Sequence, residues 1–97
     1  MTIKFYKGDS HETSFRFKNY DGKVDNVFFT VKDLNKNIKI SKELGKGITL
    51  EDGWYHIHFE PKDTENLKCE KMIFIIKINV EGSIYTVHTD KFDLDEV

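Results

Sequence analysis

A lone cysteine, Cys69, has no partner within the 97 residues, which excludes an internal disulfide and any cysteine-rich zinc cluster. Such usage fits assembly in a reducing cytoplasm. Arginine is equally scarce. Arg16 is the only one, so nearly all positive charge is lysine, which lacks the bidentate fork that reads phosphate and guanine. Nor is there a basic excess: 15 lysine and arginine residues face 17 acids, a formal net charge of −2. That balance argues against a nucleic-acid binder, which carries a basic face or stripe. Long apolar runs are missing too. Met72 to Ile76 falls far short of the roughly 20 apolar residues a membrane helix requires. The first residues reach Gly8-Asp9 without the apolar stretch of a secretory leader. Neither ordinary export nor membrane insertion is expected.

What the chain has instead is alternation. An aromatic share of 13% supplies the large side chains a core needs. These recur with a period of two, in short runs separated by turn residues. Ile3 and Phe5 open a first strand. From Glu12 to Lys18, Thr13, Phe15 and Phe17 share a face. Asn19-Tyr20-Asp21-Gly22 reads as a turn, because Asp-Gly tolerates positive φ. Val27, Phe29 and Val31 then face one way, leaving Phe28 on the nominally wet side. Asp33 to Asn37 turns the chain into Ile38-Lys39-Ile40-Ser41, expected to pair back as a hairpin. Glu51-Asp52-Gly53 leads into Trp54 to Glu60, with Tyr55, Ile57 and Phe59 on one face. Pro61 ends that strand by removing a ladder donor. One helical turn is expected near residues 62–67.

Met72, Phe74, Ile76, Ile78 and Val80 alternate with the equally apolar Ile73 and Ile75, which reads as a central strand covered on both faces. Glu81-Gly82 is a hairpin turn. Ile84, Thr86 and His88 then lie opposite Tyr85 and Val87, and Phe92 and Leu94 form a short closing strand. No amphipathic helix of useful length fits. Seven to eight short strands with turns at such intervals predict an all-β fold, an antiparallel two-sheet sandwich of immunoglobulin-like type, as one domain over 1–97.

Chemistry-bearing residues are few. His56 and His58 are two apart on one strand and therefore share a face, near enough to hold one metal if His11, His88, Cys69 or a carboxylate supplied a further ligand. The plainer reading puts both on the solvent face of a strand whose other face is core. Lys68 and Lys71 flank Cys69, yet no oriented histidine and acid accompany it, so it reads as a loop cysteine rather than a nucleophile. The aspartates fall mostly in turns, where Asp bonds to its own backbone. No calcium loop or phosphate-binding glycine loop occurs. No catalytic set and no cofactor are expected. Tyr6, Tyr20, Phe28 and Trp54 remain as aromatics that could stack on sugars or anchor a protein partner.

Several segments in order resemble the small β-sandwich at the N-terminus of phage baseplate upper proteins, found also as short tail or prophage proteins. These are Lys7-Gly8-Asp9 before Phe15-Arg16-Phe17, then Asp21-Gly22-Lys23-Val24-Asp25, then the strand Val27 to Asp33. Gly47-Ile48-Thr49-Leu50 and Gly53-Trp54-Tyr55-His56-Ile57 follow. Pro61 to Leu67 and the closing Gly82, Tyr85-Thr86 and Lys91-Phe92-Asp93-Leu94 complete the series. The chain departs from that pattern at Cys69-Glu70-Lys71, where the family often has glycine and tyrosine, and it lacks the family's long C-terminal part. The resemblance implies a non-enzymatic virion protein of tail or baseplate, in the virion or the host cytoplasm. It would assemble with other virion proteins, and with copies of itself as a symmetric oligomer. Exposed edge strands are the natural contacts, first among them Lys91 to Leu94, with Phe92 and Leu94, and Ile38 to Ser41, with Ile38 and Ile40. Phe28 and Trp54 are the aromatic interface candidates. The other function compatible with the residues is a small carbohydrate-binding module using Trp54 and its aromatic neighbours.

Overall fold

The structure, a computed structural model, describes residues 1–17 and 23–96. The elements in chain order are β1 (Ile3–Tyr6), β2 (His11–Phe15), β3 (Val24–Asp33), β4 (Ile38–Leu44), β5 (Gly47–Glu51), β6 (Trp54–Phe59), α1 (Pro61–Thr64), β7 (Met72–Val80) and β8 (Ser83–Asp95). The turn expected at Asn19 to Gly22 lies outside the described residues, as does Tyr20.

The fold is nearly all β, as the alternation predicts, but the layering differs. All eight strands belong to one sheet, in the order β1-β8-β7-β3-β4-β5-β6-β2, nearly closed into a barrel. The sheet is also mixed. β1 pairs with β8 in parallel, Ile3 opposite Phe92 and Phe5 opposite Leu94. β4 pairs with β5 in parallel over only Glu43–Gly47 and Leu44–Ile48. Gly47 makes this short parallel step possible: with φ at +97°, a Cβ there would lie 2.9 Å from Cδ of Lys42.

Hairpin chemistry explains the antiparallel connections. Asp52-Gly53 between β5 and β6, and Glu81-Gly82 between β7 and β8, all have positive φ, as a tight two-residue turn demands. At the β3–β4 turn Lys36 has a φ of 66°. Asp33 holds this turn from within: its carboxylate accepts the backbone N–H groups of Asn35 and Asn37, both at 2.9 Å, and the Asn37 amide at 3.1 Å. These donors, the Asn37 N–H foremost, hold the Asp33 carboxyl below the usual carboxylate range although the side chain is buried.

The core is the inward face of this curved sheet. Val27, Phe29, Val31, Ile48, Ile57, Phe74, Ile78 and Phe92 are fully sequestered. Phe29 sits among Phe59, Phe74 and Phe92, with ring centroids 5.6, 5.6 and 6.4 Å away. Phe5 reaches Phe59 at 5.1 Å and Phe92 at 5.7 Å, and stacks on His11 at 4.5 Å. These contacts bring β1 against β2 and β6, where no ladder joins the sheet's ends.

The helical turn begins at Pro61, one residue before the expected segment, because proline suits the first helical position, where its missing N–H costs nothing. The Glu60 N–H donates to Asp63 at 2.8 Å. Asp63 in turn pairs with Lys42 at 3.0 Å, tying α1 to β4. Thr64 is fully buried and accepts the Gly8 N–H at 2.8 Å, which fastens the β1–β2 turn to α1.

Four strand expectations need correction. β2 stops at Phe15, and Arg16 instead turns toward Trp54. The separate closing strand at Phe92 and Leu94 is the second half of β8, 13 residues long. A bulge opposite Ile76 and Lys77 shifts the phase of β8 at Val87, so His88 faces Ile76 and contacts Phe74, away from the side that Ile84 and Thr86 take. β7 lies between β3 and β8 as expected of a central strand, yet Ile73 remains 40% exposed, so its second face is not covered.

Candidate functional site

Two surfaces follow from this architecture. The first is the outer face of β2 and β6. Ladder pairing sets Glu12 opposite His58 and Ser14 opposite His56. Glu12 bridges the two imidazoles, with carboxylate oxygens 3.1 Å from Nδ1 of His58 and 3.4 Å from Nδ1 of His56. The Ser14 hydroxyl lies 2.7 Å from the same nitrogen of His56, and Thr49 lies 2.9 Å from Nε2 of His58. Both histidines therefore share a face as their spacing predicts, but their ring nitrogens are engaged by a carboxylate and two hydroxyls. Among the described residues no group of three histidine, cysteine or acidic side chains is placed to hold a metal. His11 points to the other side, onto Phe5, and His88 is on the far side of the sheet, against Phe74.

The second surface is the set of open edges and exposed apolar side chains. The two edges expected to be open differ from each other. Lys91 to Leu94 is already filled: β1 pairs along Phe92 to Asp95, and Phe92 and Leu94 are core residues. Their apolar, alternating character reflects burial. Ile38 to Ser41 pairs with β3 on one side only, since β5 reaches no further than Glu43 and Leu44. There Ile38 is 63% exposed, whereas Ile40 is buried.

Phe28 is half-buried on the outer face, opposite Glu43 on β4 and Lys77 on β7, as its phase predicts. Trp54 is exposed at the start of β6, and the Arg16 guanidinium lies 4.8 Å over its ring. That cation–π contact occupies one face of the indole. Tyr6 is exposed at the end of β1.

Sequence reasoning placed a strand at Ser83 to Thr89 but did not single it out as an exposed edge. Ile84 and Tyr85 are among the most exposed large apolar side chains, and no described strand pairs with the outer edge of β8 before Phe92. The signal was in the sequence: Gly82 to Thr89 is the longest stretch free of Asp, Glu, Lys and Arg in a chain that is 33% charged.

Cys69 is exposed, and partial desolvation together with the nearby Glu96 carboxylate pushes its thiol up, opposite to what a nucleophile needs. A recess of about 240 Å³ lined by Phe15, Arg16, Phe17, Ile76, Val87 and His88 is smaller than the roughly 300–1,000 Å³ of ordinary ligand pockets. Asp90, beside it, is held below the usual carboxylate range by the N-terminal amine, 2.7 Å away. Among the described residues no helix is long and apolar enough to cross a membrane. No family model matches the chain, and no curated protein matches it.

Proposed function

We propose that the chain is a non-enzymatic structural protein of a phage or prophage virion, of tail or baseplate, that assembles through the surfaces of its β-sheet. The ordered resemblance over nearly the whole chain motivates the reading. The observation that carries it is a small sheet with stretches of edge on β4 and β8 that no described strand pairs with, and with Ile38, Ile84 and Tyr85 open to solvent beside them. Unpaired backbone donors and acceptors on an edge accept a further strand. An immunoglobulin-like sandwich is the finer architecture that the resemblance implies. The short parallel step between β4 and β5 is where such a division into two layers would fall.

The test is particle composition and co-purification. Mass spectrometry of purified particles should find the chain, and an affinity-tagged copy should bring down tail proteins. A chain missing from particles and purifying alone would overturn the reading.

A carbohydrate-binding module is the second reading, favoured by the exposure of Trp54. It requires a glycan to use the face of the indole that Arg16 leaves, or to displace Arg16. A glycan array without hits, or sugar binding unchanged in Trp54→Ala, removes it.

A further inference from the structure

We infer that the first half of β8, Ser83 to Thr89, is a self-association edge that pairs antiparallel with the same segment of a second copy about a two-fold axis. The inference rests on the assembly reading above and names the occupant of one edge. Natural sheets guard open edges with charged side chains, lysine above all. The other open edges here are guarded. Lys4 stands on β1, Glu12 on β2, and Lys39 and Lys42 on β4, where Lys42 is also locked to Asp63. Ser-Ile-Tyr-Thr-Val-His-Thr on β8 carries no such guard and no proline, although its aromatic and β-branched residues favour strand pairing.

The occupant follows from complementarity. Antiparallel neighbours made from identical strands are related by a two-fold axis normal to the sheet, so each residue meets one on the same face. Tyr85 lies opposite Ile78 and Ile84 opposite Asn79, so these two neighbours project to opposite faces. An axis at Tyr85 sets it against Tyr85 of the second copy, Ile84 against Thr86, and Ser83 against Val87. The five residues of this register, Ser83 to Val87, carry no charge, so no like charges meet within it. The formal net charge of −2 adds little long-range repulsion between copies. The bulge after Thr86 ends the regular ladder, which limits it to about five residues, roughly 17 Å of strand. Such a contact falls at the low end of interface sizes, below about 1,200 Å² in total. The dimer is therefore weak and reversible, with a dissociation constant between about 1 µM and 1 mM.

Sedimentation velocity over that concentration range tests it. A monomer–dimer equilibrium is expected. Thr86→Lys, at an exposed position, should weaken it at least about tenfold without lowering the melting temperature. Leu50→Lys, on β5, should leave it unchanged. Tyr85→Cys in a Cys69→Ser background should cross-link to itself under mild oxidation, since opposed residues lie within disulfide reach. A monomer at about 1 mM, or a dimer indifferent to Thr86→Lys, overturns the inference. A dimer that forms without the cross-link overturns the Tyr85 register. A monomer that still co-purifies with tail proteins sinks only the β8 pairing, whereas a β8 dimer absent from particles sinks only the virion reading.

Discussion

Around Phe29 the sheet closes on itself, and four aromatic rings from β3, β6, β7 and β8 fill the interior. Around Tyr85, past the point where β4 leaves β3 at Phe28, the described sheet is three strands wide and its edge side chains meet water. Both regions are built from the same kind of strand, and β7 and β8 run through both. The contrast shows that apolar alternation alone does not say whether a side chain stabilises the monomer. What decides is whether other strands arrive on the inward side.

Phe29→Ala should break the packed region most severely. Removing a fully buried ring costs about 3–5 kcal/mol, much of the stability of a domain this size. Urea denaturation should show a large drop in midpoint. Thr64→Val comes next. It keeps the shape but leaves the Gly8 N–H without its acceptor, a loss of about 1–3 kcal/mol.

Asp33 tests the same end through pH. Its carboxyl titrates lower in the folded chain than the ordinary value near 3.9. The folded state thus holds fewer protons than the unfolded one in that range. The contribution is complete above the unfolded value and is lost as pH falls through the folded one. Thermal melts should weaken below about pH 4, and Asp33→Asn should melt lower at neutral pH with a flatter acid limb. The smallest effect is expected at the far end, where Tyr85→Ser should change stability by no more than about 0.5 kcal/mol. If Tyr85→Ser proved as damaging as Thr64→Val, the contrast between the two regions would disappear.

Much of the packed region was legible in the sequence. Val27, Phe29 and Val31, and likewise Tyr55, Ile57 and Phe59, face inward as a period of two requires. The turns at Asp33 to Asn37, Asp52-Gly53 and Glu81-Gly82 also fall where their residues predict. The order of strands was not legible, because it depends on meetings between distant segments, such as Ile3 with Phe92, that no local pattern encodes. The phase of β8 after Val87 was hidden for a different reason. A bulge adds one residue and reverses the alternation without a required residue type, so His88 was assigned to the wrong face. For the histidine pair, spacing placed His56 and His58 together. Only the ladder to β2 brought Glu12 between them.

The parallel zipper between β1 and β8 joins residues far apart in the sequence, such as Ile3 and Phe92. β1 cannot pair until β8 has been synthesised, so Phe5 waits for Leu94 to cover it. That pairing encloses all the strands between them in one long loop. Loop-closure entropy then makes the final step slow, on the millisecond-to-second scale typical of sheets dominated by distant pairings.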